Sequence, residues 1–498
     1  MAPLPLPPGR VSNGEFIPGP ATQDDDAVLT KIRASVDTGA RAAGMDRRRF
    51  LQSAGGVAAS LAAFNLAACA HTKPAGSPPG GSFTVPTAKD VPACEHALGG
   101  QGEFIVDVHT HHVMPDGPWR HNAPDTVGLI EAMLPGGCQA ANRLQCVNQA
   151  AYLHDIFLAS DTAVAMLTDV PNSGPTDAPL PFPAALDTAH MVAQLAHGGA
   201  NRLLVNQVLA PNVGPLGAQL DAMTAAADGG KLASFKVYTA WSPTGRGYSL
   251  EDPAIGLPVI QHAHDLGVKV FIAHKGLPLV HFDPTHNGPD DIVAVSRQFP
   301  DMNFVVFHAA WDPRHREGSY GAQSGQGRVG IDSLLAALDR HQVPANDNVW
   351  VDLGTVWRQV LTDPDQAAHV LGKLLTRVGA DRVLWGTDAI WYGGPQAQIM
   401  ALRAFQISTQ YQERFGYPAL TDDLKAKIFG LNAAHLFAID PHATRCALQT
   451  DPLTTARPAA AELQADGALP SPWAPKGPTT RREMLAWLSS PLTRWTPL

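Results

Sequence analysis

The chain has 498 residues, a formal net charge of −9 and a hydrophobic content of 45%. This length fits one large domain with extensions or several small domains, and the apolar content is enough for a sizeable core. The negative charge argues against nucleic acid as a partner, because a phosphate-binding domain usually carries a basic face.

The N-terminal region predicts a flexible leader followed by an export signal. Residues 1–44 are rich in Pro, Gly and polar side chains, with one helix expected over 26–43. In segment 45–70, Asp46-Arg47-Arg48-Arg49-Phe50-Leu51 precedes a weakly apolar run, which resembles a twin-arginine signal read by a receptor. The run is short for a membrane span, so a signal core is favoured. We expect export through the twin-arginine machinery to the periplasm or cell envelope, with Met1 and Met45 both open as the start.

Cysteine usage agrees with an exported protein. Leu66-Ala67-Ala68-Cys69 resembles a bacterial lipobox, in which Cys69 would be lipidated and become the mature N-terminus; the alternative is a small-residue cleavage site with an incidental cysteine. Of the other four cysteines, Cys138 and Cys146 are the pair favoured by proximity. The chain has no Cys-x-x-Cys, so a thiolate zinc site is not expected. Residues 71–101 predict a linker.

Residues 102–440 predict a single α/β domain. Eight apolar runs of strand length alternate with longer amphipathic stretches, and such near-continuous apolar runs are typical of parallel strands covered on both faces. The pattern predicts a (β/α)8 TIM barrel; the alternative, a doubly wound open sheet, usually carries a Gly-rich first turn, which is missing here. The predicted strands are 104–109, 163–168, 202–208, 233–238, 268–274, 303–308, 348–353 and 382–388.

The predicted helices lie between these runs and after them. A helix over 421–438 is expected to pack on the barrel, and the C-terminal extension 441–498 is expected to be irregular except for a short helix over 479–488. The helices between strands are predicted near 185–198, 216–229, 253–266, 289–299, 329–341, 363–378 and 395–408.

Polar residues end several of the predicted strands. His109-Thr110-His111 ends the first run. Side chains two residues apart along a strand point the same way, so both imidazoles can bind one metal ion. Active sites of such barrels lie at the carboxyl ends of the strands, so polar residues there are expected to converge. The later runs contribute Lys236 and Tyr238, His274, His308 and Asp388.

Imidazole and carboxylate ligands suit zinc, the expected metal, with manganese and iron as alternatives. The metal would lower the pKa of a bound water, Asp388 would bind the metal and accept the proton, and His308 would bind a second metal or act as acid or base. Taken alone, Asp388 could instead cap a helix, and the histidines could be polar strand ends. Asp107 either orients a ligand imidazole or lies under the barrel rim.

An ordered set of motifs across 104–438 resembles the amidohydrolase superfamily, in the amidohydrolase-related branch similar to aminocarboxymuconate-semialdehyde decarboxylase. The resemblance implies a metal held by His109, His111, His274 and Asp388, with His308 as the catalytic acid or base. Members are hydrolases of amides, lactones and esters, or nonoxidative decarboxylases. The motifs are Val106–His111, Ile272–Gly276, Phe307-His308, Leu384–Asp388 and Phe429–Phe437.

Lys236 leaves the number of metal ions open. In binuclear members a lysine ending the fourth strand is carboxylated and bridges two metals, and His308 would then bind the second ion. The other interpretation is a lysine that pairs with a carboxylate or binds an anionic substrate, beside one metal; this is slightly favoured.

Residues that follow the strand ends are candidate substrate contacts. An arginine with several aromatic side chains would suit a carboxylated or aromatic ligand. The leading hypothesis is a metal-dependent hydrolase; the alternatives are a decarboxylase with the same site and a catalytically silent, lipid-anchored binding protein. The candidate contacts are His112, Arg120, Tyr238, Trp241, Trp311, Arg314, Trp391 and Tyr392.

Overall fold

Eight parallel strands form a barrel in the computed structural model, which describes residues 4–9, 22–71, 79–133, 142–278, 282–321 and 328–465. A separate pair of short strands, β1 and β10, lies outside this barrel. The strands are β1 (Gly81–Phe83), β2 (Val106–Thr110), β3 (Val164–Leu167), β4 (Leu203–Leu209), β5 (Leu232–Val237), β6 (Val270–His274), β7 (Asn303–Phe307), β8 (Val349–Asp352), β9 (Val383–Leu384) and β10 (Phe405–Ile407).

The barrel strands follow one another in chain order from β2 to β9, and each pairs in parallel with the next. The first and last strands are joined by backbone hydrogen bonds: Val108 N donates to Trp385 O at 3.0 Å, and Asp388 N donates to His109 O at 2.8 Å. The eight predicted strands and the barrel architecture are therefore confirmed. All eight carboxyl ends lie at one rim, as the parallel direction requires.

Helices occupy the segments between the strands and both terminal regions. They are α1 (Gln23–Ala42), α2 (Arg47–Leu51), α3 (Ala54–His71), α4 (Val91–Leu98), α5 (Trp119–Asn122), α6 (Pro124–Met133), α7 (Gln149–Leu153), α8 (Phe182–Leu195), α9 (Leu216–Asp228), α10 (Gly256–Asp265), α11 (Asp290–Ser296), α12 (Ile331–Arg340), α13 (Val356–Val360), α14 (Pro364–Leu374), α15 (Gln396–Ala404), α16 (Thr409–Phe415), α17 (Asp422–Ala426), α18 (Asn432–Leu436), α19 (Pro441–Leu448), α20 (Pro452–Thr455) and α21 (Arg457–Ala465).

The alternation of side chains along the strands builds two apolar layers. Phe235 and Phe271 pack with the surrounding helices, whereas Ile272 and Val305 belong to the cluster that fills the barrel. Lys236 pairs in register with Ile272, so it shares the inward direction. Side chains alternate in direction along each strand, and this alternation buries every second residue in the core. At the rim, the same alternation directs every second side chain into the barrel mouth.

The helix predicted over 26–43 is confirmed as α1, and because α1 packs against the rest of the protein, the flexibility predicted for this segment is wrong. Helix α1 begins at a capping box, in which Asp25 N donates to the Thr22 hydroxyl and Thr22 N donates to the Asp25 carboxylate. Its residues Val28, Ile32 and Val36 are buried. A spacing of four residues places these three side chains on one face of the helix. This apolar face is buried by packing against the rest of the protein.

The apolar segment of the predicted export signal forms α3, which packs against α1, α4, α14, α15 and β1. Its residues Val57, Leu61 and Phe64 are completely buried. None of the helices within the described ranges is long and apolar enough to cross a membrane.

The predicted linker 71–101 is also structured over its described residues from 79 onward. It contains β1, which pairs antiparallel with β10 in the register Gly81↔Ile407, and α4, whose Val91, Cys94 and Leu98 are buried. The linker prediction is wrong because these short apolar elements find partners that are distant in sequence. The small sheet also replaces the last residues of the helix predicted over 395–408.

The C-terminal extension departs from the prediction in the same way. Residues predicted to be irregular form α19, α20 and α21, and each of the first two starts at an aspartate that accepts hydrogen bonds from the first helical turn. Arg202, at the start of β4, is buried against Asp451 and ties this region to the barrel. The helix predicted over 479–488 lies outside the described residues.

Cys146 is in a disulfide. Its predicted partner, Cys138, lies outside the described residues, so that pairing stays a prediction. Cys94 is a buried free thiol and Cys446 an exposed one.

Candidate metal centre

Strand β2 brings two imidazoles to the barrel mouth. His109 lies within the strand and His111 immediately after it, and both side chains are buried. Their Nε2 atoms lie 3.6 Å and 3.2 Å from the same oxygen, Oδ1 of Asp388. The alternation predicted from the His-x-His spacing thus directs both rings at one point.

The loop after β9 supplies the carboxylate at that point. Asp388 has a φ of 61°, in the left-handed region, and its backbone N donates to His109 O. The hydroxyl of Thr355 donates to Asp388 Oδ2 at 2.5 Å. The two carboxylate oxygens of Asp388 therefore have different partners. Oδ1 lies near the two imidazoles, and Oδ2 accepts the hydrogen bond from Thr355.

Among the described residues, two groups of His and Asp side chains have ligand atoms within 4.8 Å of one another: His109 with His111 and Asp388, and His109 with His308 and Asp352. The first group consists entirely of residues that the sequence singled out. It provides two imidazoles and one carboxylate at the carboxyl ends of the first and last barrel strands.

Asp352 is a site residue that sequence reasoning missed. Its Oδ2 accepts from Nδ1 of His109 at 2.8 Å, and its Oδ1 accepts from the backbone N of His308 at 2.6 Å. A carboxylate on Nδ1 fixes the tautomer and leaves Nε2 as the ligand atom. The sequence did contain a signal for Asp352. It lies at the carboxyl end of the seventh barrel strand, β8, and the other polar site residues lie at the carboxyl ends of their strands.

Asp107 has the second of the two roles predicted for it. Its carboxylate accepts from the Thr387 hydroxyl at 2.5 Å, from Thr387 N at 3.0 Å and from His109 N at 3.2 Å, and the structure shows no bond from it to an imidazole. Burial raises the pKa of Asp107 to about 7. Asp107 therefore lies under the rim and joins β2 to the end of β9.

His308 follows β7 on left-handed backbone, with a φ of 64°. Its Nδ1 lies 2.9 Å from the carbonyl oxygen of Gly354, so Nδ1–H donates and Nε2 carries the lone pair. Its ring centroid is 4.9 Å from that of His109 and 4.5 Å from that of His274. His308 therefore stands between the two predicted ligand histidines.

His274, the last residue of β6, lies beside the His109, His111 and Asp388 group and is not a member of it. Its Nε2 lies 3.0 Å from the carbonyl oxygen of Leu277, whereas its buried Nδ1 has no hydrogen-bond partner. The Nε2 atom is thus the donor, and Nδ1 is the nitrogen able to coordinate.

Lys236 is fully buried in β5, with Nζ 4.7 Å from the ring centroid of Tyr238 and 4.8 Å from that of Phe307. Its charge lowers the pKa values of His109 and His274, after the larger effect of burial. The lysine predicted at the end of the fourth barrel strand is therefore within electrostatic reach of the candidate ligands.

Burial and charge set the protonation states of the centre. Burial lowers the pKa values of His109, His111, His274 and His308, which keeps these imidazoles neutral at pH 7. The pKa of Asp388 is held well below its usual range: burial raises it, and the neighbouring histidines outweigh that effect. Neutral imidazoles with an ionised carboxylate are the forms that bind a metal.

The predicted substrate contacts divide into two sets. Near the centre, the Trp391 ring lies 5.5 Å from that of His111, the Tyr238 ring lies 5.0 Å from that of His274, and the Tyr392 hydroxyl lies 3.2 Å from Oγ1 of Thr355. Trp311 is buried, and its N donates to His308 O.

Other candidates have partners elsewhere. His112 is buried with its Nε2 3.0 Å from the hydroxyl of Thr188 on α8, and burial lowers its pKa to about 4. Arg120 is exposed near Asp116, and Arg314 binds Asp312 through two nitrogens. Trp241 is half-buried and forms a β-bridge with Phe282. The structure places none of these four side chains against the His109, His111 and Asp388 group.

The donor set fits a divalent metal ion. Three observations support this: the convergence of two imidazoles on one carboxylate, the orienting bond from Asp352 to His109, and the buried Nδ1 of His274 without a partner. Zinc, manganese and iron(II) all accept such mixed nitrogen and oxygen ligands.

Comparison with known proteins gives one family match. A family model described as Amidohydrolase matches residues 106–439, well over half of the chain. The chain is 26% identical over 199 residues to an L-fucono-1,5-lactonase of Burkholderia ambifaria, which covers 38% of this chain and 57% of that protein. The match thus spans less than two thirds of the relative's length.

Solved structures of similar fold include two decarboxylases. A 2,6-dihydroxybenzoate decarboxylase from Rhizobium aligns with a TM-score of 0.39 and 14% identity over 68% of this chain and 100% of that one. A dihydroxybenzoic acid decarboxylase from Polaromonas, with bound manganese and 2-nitroresorcinol, aligns with a TM-score of 0.39 and 12% identity over 68% and 97%.

Proposed function

Because this chain belongs to the amidohydrolase family, with residues 106–439 matching its model, we propose that it is a metal-dependent hydrolase of a small-molecule amide, ester or lactone. The observation that carries the proposal is the approach of the ligand atoms of His109, His111 and Asp388 to within 4.8 Å of one another, in a buried centre with neutral imidazoles.

These three side chains, with Nδ1 of His274, would hold one divalent ion, with zinc as the expected metal and manganese or iron as alternatives. When bound, the metal supplies Lewis acidity that polarises the scissile carbonyl and acidifies a water molecule. Asp352 keeps His109 in the tautomer with a free Nε2, and Thr355 fixes one oxygen of Asp388.

The proton transfers fall to Asp388 and His308. Asp388 is ionised, so its carboxylate can accept the proton of the attacking water. Nδ1 of His308 is occupied by the Gly354 carbonyl, so Nε2 is the nitrogen that would take a proton and deliver it to the leaving group. Both residues are fully buried, which excludes bulk water and strengthens electrostatic interactions in the site.

The hydrolase proposal is tested by assaying purified, metal-loaded protein on lactones, esters, N-acyl amides and carboxylated aromatics in ¹⁸O water. We expect ¹⁸O in the product and a loss of about 10²–10⁴-fold in kcat for His308→Asn. His262→Gln on α10 is a matched control, since that ring contacts Thr224 and Leu220, away from the centre.

Carbon dioxide release without ¹⁸O incorporation would replace the hydrolase by the decarboxylase alternative. A protein that holds no metal after reconstitution would contradict both enzymes and favour the binding protein. Metal content that survives the double change His109→Ala and Asp388→Ala would show that the ligands are assigned wrongly.

The proposal favours one ion over two, with Lys236 as a cation beside the site. Metal analysis should then give one ion per chain, unchanged by Lys236→Met. Two ions per chain, of which one is lost in Lys236→Met, would instead support a carboxylated lysine and a ligand role for His308.

Export through the twin-arginine machinery to the periplasm or cell envelope is part of the same proposal. Arg48 and Arg49 on α2 are exposed and accessible to a receptor, whereas Arg47 donates to Asp37 at 2.7 Å. Replacing Arg47 and Arg48, the two arginines of the Arg-Arg-x-Phe-Leu pattern, by lysine should leave the protein in the cytoplasm of a bacterial host. Unchanged fractionation would overturn the export proposal.

A lipid anchor at Cys69 and retention of α3 exclude one another. Lipidation would make Cys69 the mature N-terminus and remove residues 1–68, including the fully buried Leu61 and Phe64. The intact mass of the envelope-associated protein decides this: an acylated species starting at Cys69 supports the anchor, and a mass that includes residues 47–68 contradicts it.

A further inference from the structure

Arg358 is a buried cation on α13, the short helix that follows Thr355. It lies in α13, three residues after Thr355, and only 3% of its surface is exposed. Its Nη2 donates to the carbonyl oxygen of Pro7 at 3.3 Å, and its Nη1 makes no hydrogen bond with the residues that the structure describes. Burial lowers the pKa of Arg358 to about 10, so the guanidinium still carries its charge at pH 7.

Arg358 has no carboxylate partner in the described parts of the chain. Two other buried cations do have one: Arg202 pairs with Asp451, and Lys275 with Asp291. A buried charge is normally paired, because removal from water is unfavourable unless an opposite charge replaces the lost hydration. A guanidinium that meets only a carbonyl is therefore suited to bind an anion.

The position of Arg358 connects it to the centre. Thr355, the residue that precedes α13, donates its hydroxyl to Asp388 at 2.5 Å. The Tyr392 hydroxyl lies 3.2 Å from Oγ1 of Thr355, and Tyr392 also interacts electrostatically with Arg358. An anion on Arg358 would thus lie near Tyr392, whose hydroxyl group is connected to Asp388 through Thr355.

The N-terminal segment Leu4–Gly9 covers this guanidinium. Leu6 is only 1% exposed and belongs to the main apolar cluster, and Pro7 supplies the carbonyl that Arg358 binds. Gly9, with a φ of 78°, lies beside Asp25 at the start of α1. A neutral carbonyl is a weaker acceptor than a carboxylate, which can take two parallel hydrogen bonds from a guanidinium.

We propose that Arg358 binds a carboxylate group of the ligand and that the segment Leu4–Gly9 occupies this anion site until it is displaced. The identification of the ligand as the substrate rests on the proposed function, and the existence of the anion site does not. The substrate class that follows is a small molecule with a carboxylate at one end and the reacting group at the other.

The test uses benzoate as the probe, titrated by calorimetry into metal-free protein. A variant lacking residues 2–9 should bind benzoate about tenfold more tightly than the full chain, because the site is no longer covered. Adding Arg358→Met to that variant should weaken binding about 30-fold or more, as expected for loss of a buried charge partner. Benzamide, the neutral analogue, should not respond to Arg358→Met.

Arg382→Met in the same truncated background is the matched control. Arg382 stacks on Trp350 at 4.2 Å, at the amino-terminal end of β9, and its loss should leave benzoate binding unchanged. If the truncated protein does not fold by circular dichroism, the neutral polar change Leu6→Asn in the full chain displaces the segment instead and should give a gain in the same direction.

Equal benzoate affinity with and without Arg358 would contradict the proposal that Arg358 forms an anion site. Equal benzoate affinity of the full and truncated chains would contradict the proposal that the segment Leu4–Gly9 occupies that site. Because binding is measured without metal and without turnover, a protein that binds benzoate through Arg358 but hydrolyses nothing would contradict the proposed function alone.

Discussion

At the scale of single residues, the site is built on unusual backbone. His308, Thr355 and Asp388 have φ values of 64°, 61° and 61°, in a region that L-amino acids rarely adopt. Such residues cost about 1–3 kcal/mol each and persist only where the surroundings fix them. Here the backbone N of His308 donates to the Asp352 carboxylate, and the Thr355 hydroxyl donates to Asp388. These bonds hold the side chains so that they are aimed at one point.

Asp352 is expected to control metal affinity although it is not a predicted ligand. Asp352→Asn removes the negative acceptor for His109 Nδ1, so the ring loses its fixed tautomer. The expected result is about a 10–100-fold weaker metal affinity, measured by competition with a chelator of known affinity.

The matched control for this change is Asp107→Asn. Asp107 is an equally buried carboxylate in the same part of the barrel, but it bonds to Thr387 and to the His109 backbone. This variant should lower stability and keep the metal affinity. An equal loss of affinity in both variants would contradict the role given to Asp352.

A pH dependence of stability is expected from His369 on α14. Burial lowers its pKa to about 4, and its Nδ1 lies 3.0 Å from the Tyr417 hydroxyl. An unfolded histidine titrates near 6.5, so below that pH the unfolded chain binds the proton first. The contribution is fully present above pH 6.5 and is lost as the pH falls to about 4, amounting to about 3 kcal/mol.

His369→Asn keeps an acceptor for Tyr417 and removes the titration. The free energy of unfolding in urea should therefore fall less steeply between pH 6.5 and pH 4 in the variant than in the parent protein. Identical slopes would show that His369 does not contribute to the acid sensitivity.

At the scale of elements, α3 links the N-terminal region to the barrel. The helix is apolar on all sides, as expected of a helix surrounded by protein, and packs against α14 and α15. The strand β1 that follows pairs with β10 beyond α15. A segment with the composition of an export signal thus serves as a core element of the fold.

Phe64→Ala in α3 should destabilise the protein by about 3–5 kcal/mol, because a fully buried aromatic ring leaves a cavity. Leu66→Ala in the same helix is the control: Leu66 is 56% exposed, so its loss should change the urea midpoint little. Equal effects of the two changes would contradict the packing of α3 on the barrel.

At the scale of the whole molecule, the metal centre joins distant parts of the chain. His109 and His111 come from the first barrel strand, His274 from the fifth, and Asp388 from the loop after the eighth. Because all of these must be in place to bind an ion, binding to the folded state alone stabilises the whole barrel.

Removing the metal with a chelator should therefore lower the melting temperature, and adding zinc should restore it. At a free metal concentration of about 100 times Kd the stabilisation is about 2.7 kcal/mol. Differential scanning calorimetry measures the shift, which should vanish in Asp388→Ala and persist in His262→Gln. A shift of equal size in Asp388→Ala would place the ion elsewhere.

The sequence by itself determined the barrel and the positions of its candidate ligands. Alternation of apolar runs and amphipathic stretches is a local property, so all eight strands could be predicted. His109, His111 and Asp388 could be placed in the centre because the carboxyl ends of parallel strands meet at one rim.

Only the tertiary structure decided which partners these residues have. Asp352 binds His109, which lies 243 residues earlier in the chain, and Arg358 donates to Pro7, which lies 351 residues earlier. Helix α3 packs against α14 and α15. The composition of residues 1–44 predicted a leader, because composition gives the residue content of a segment and not whether the segment is buried. Burial and hydrogen bonds between segments that are distant in sequence depend on how the whole chain folds, and local sequence patterns do not show this.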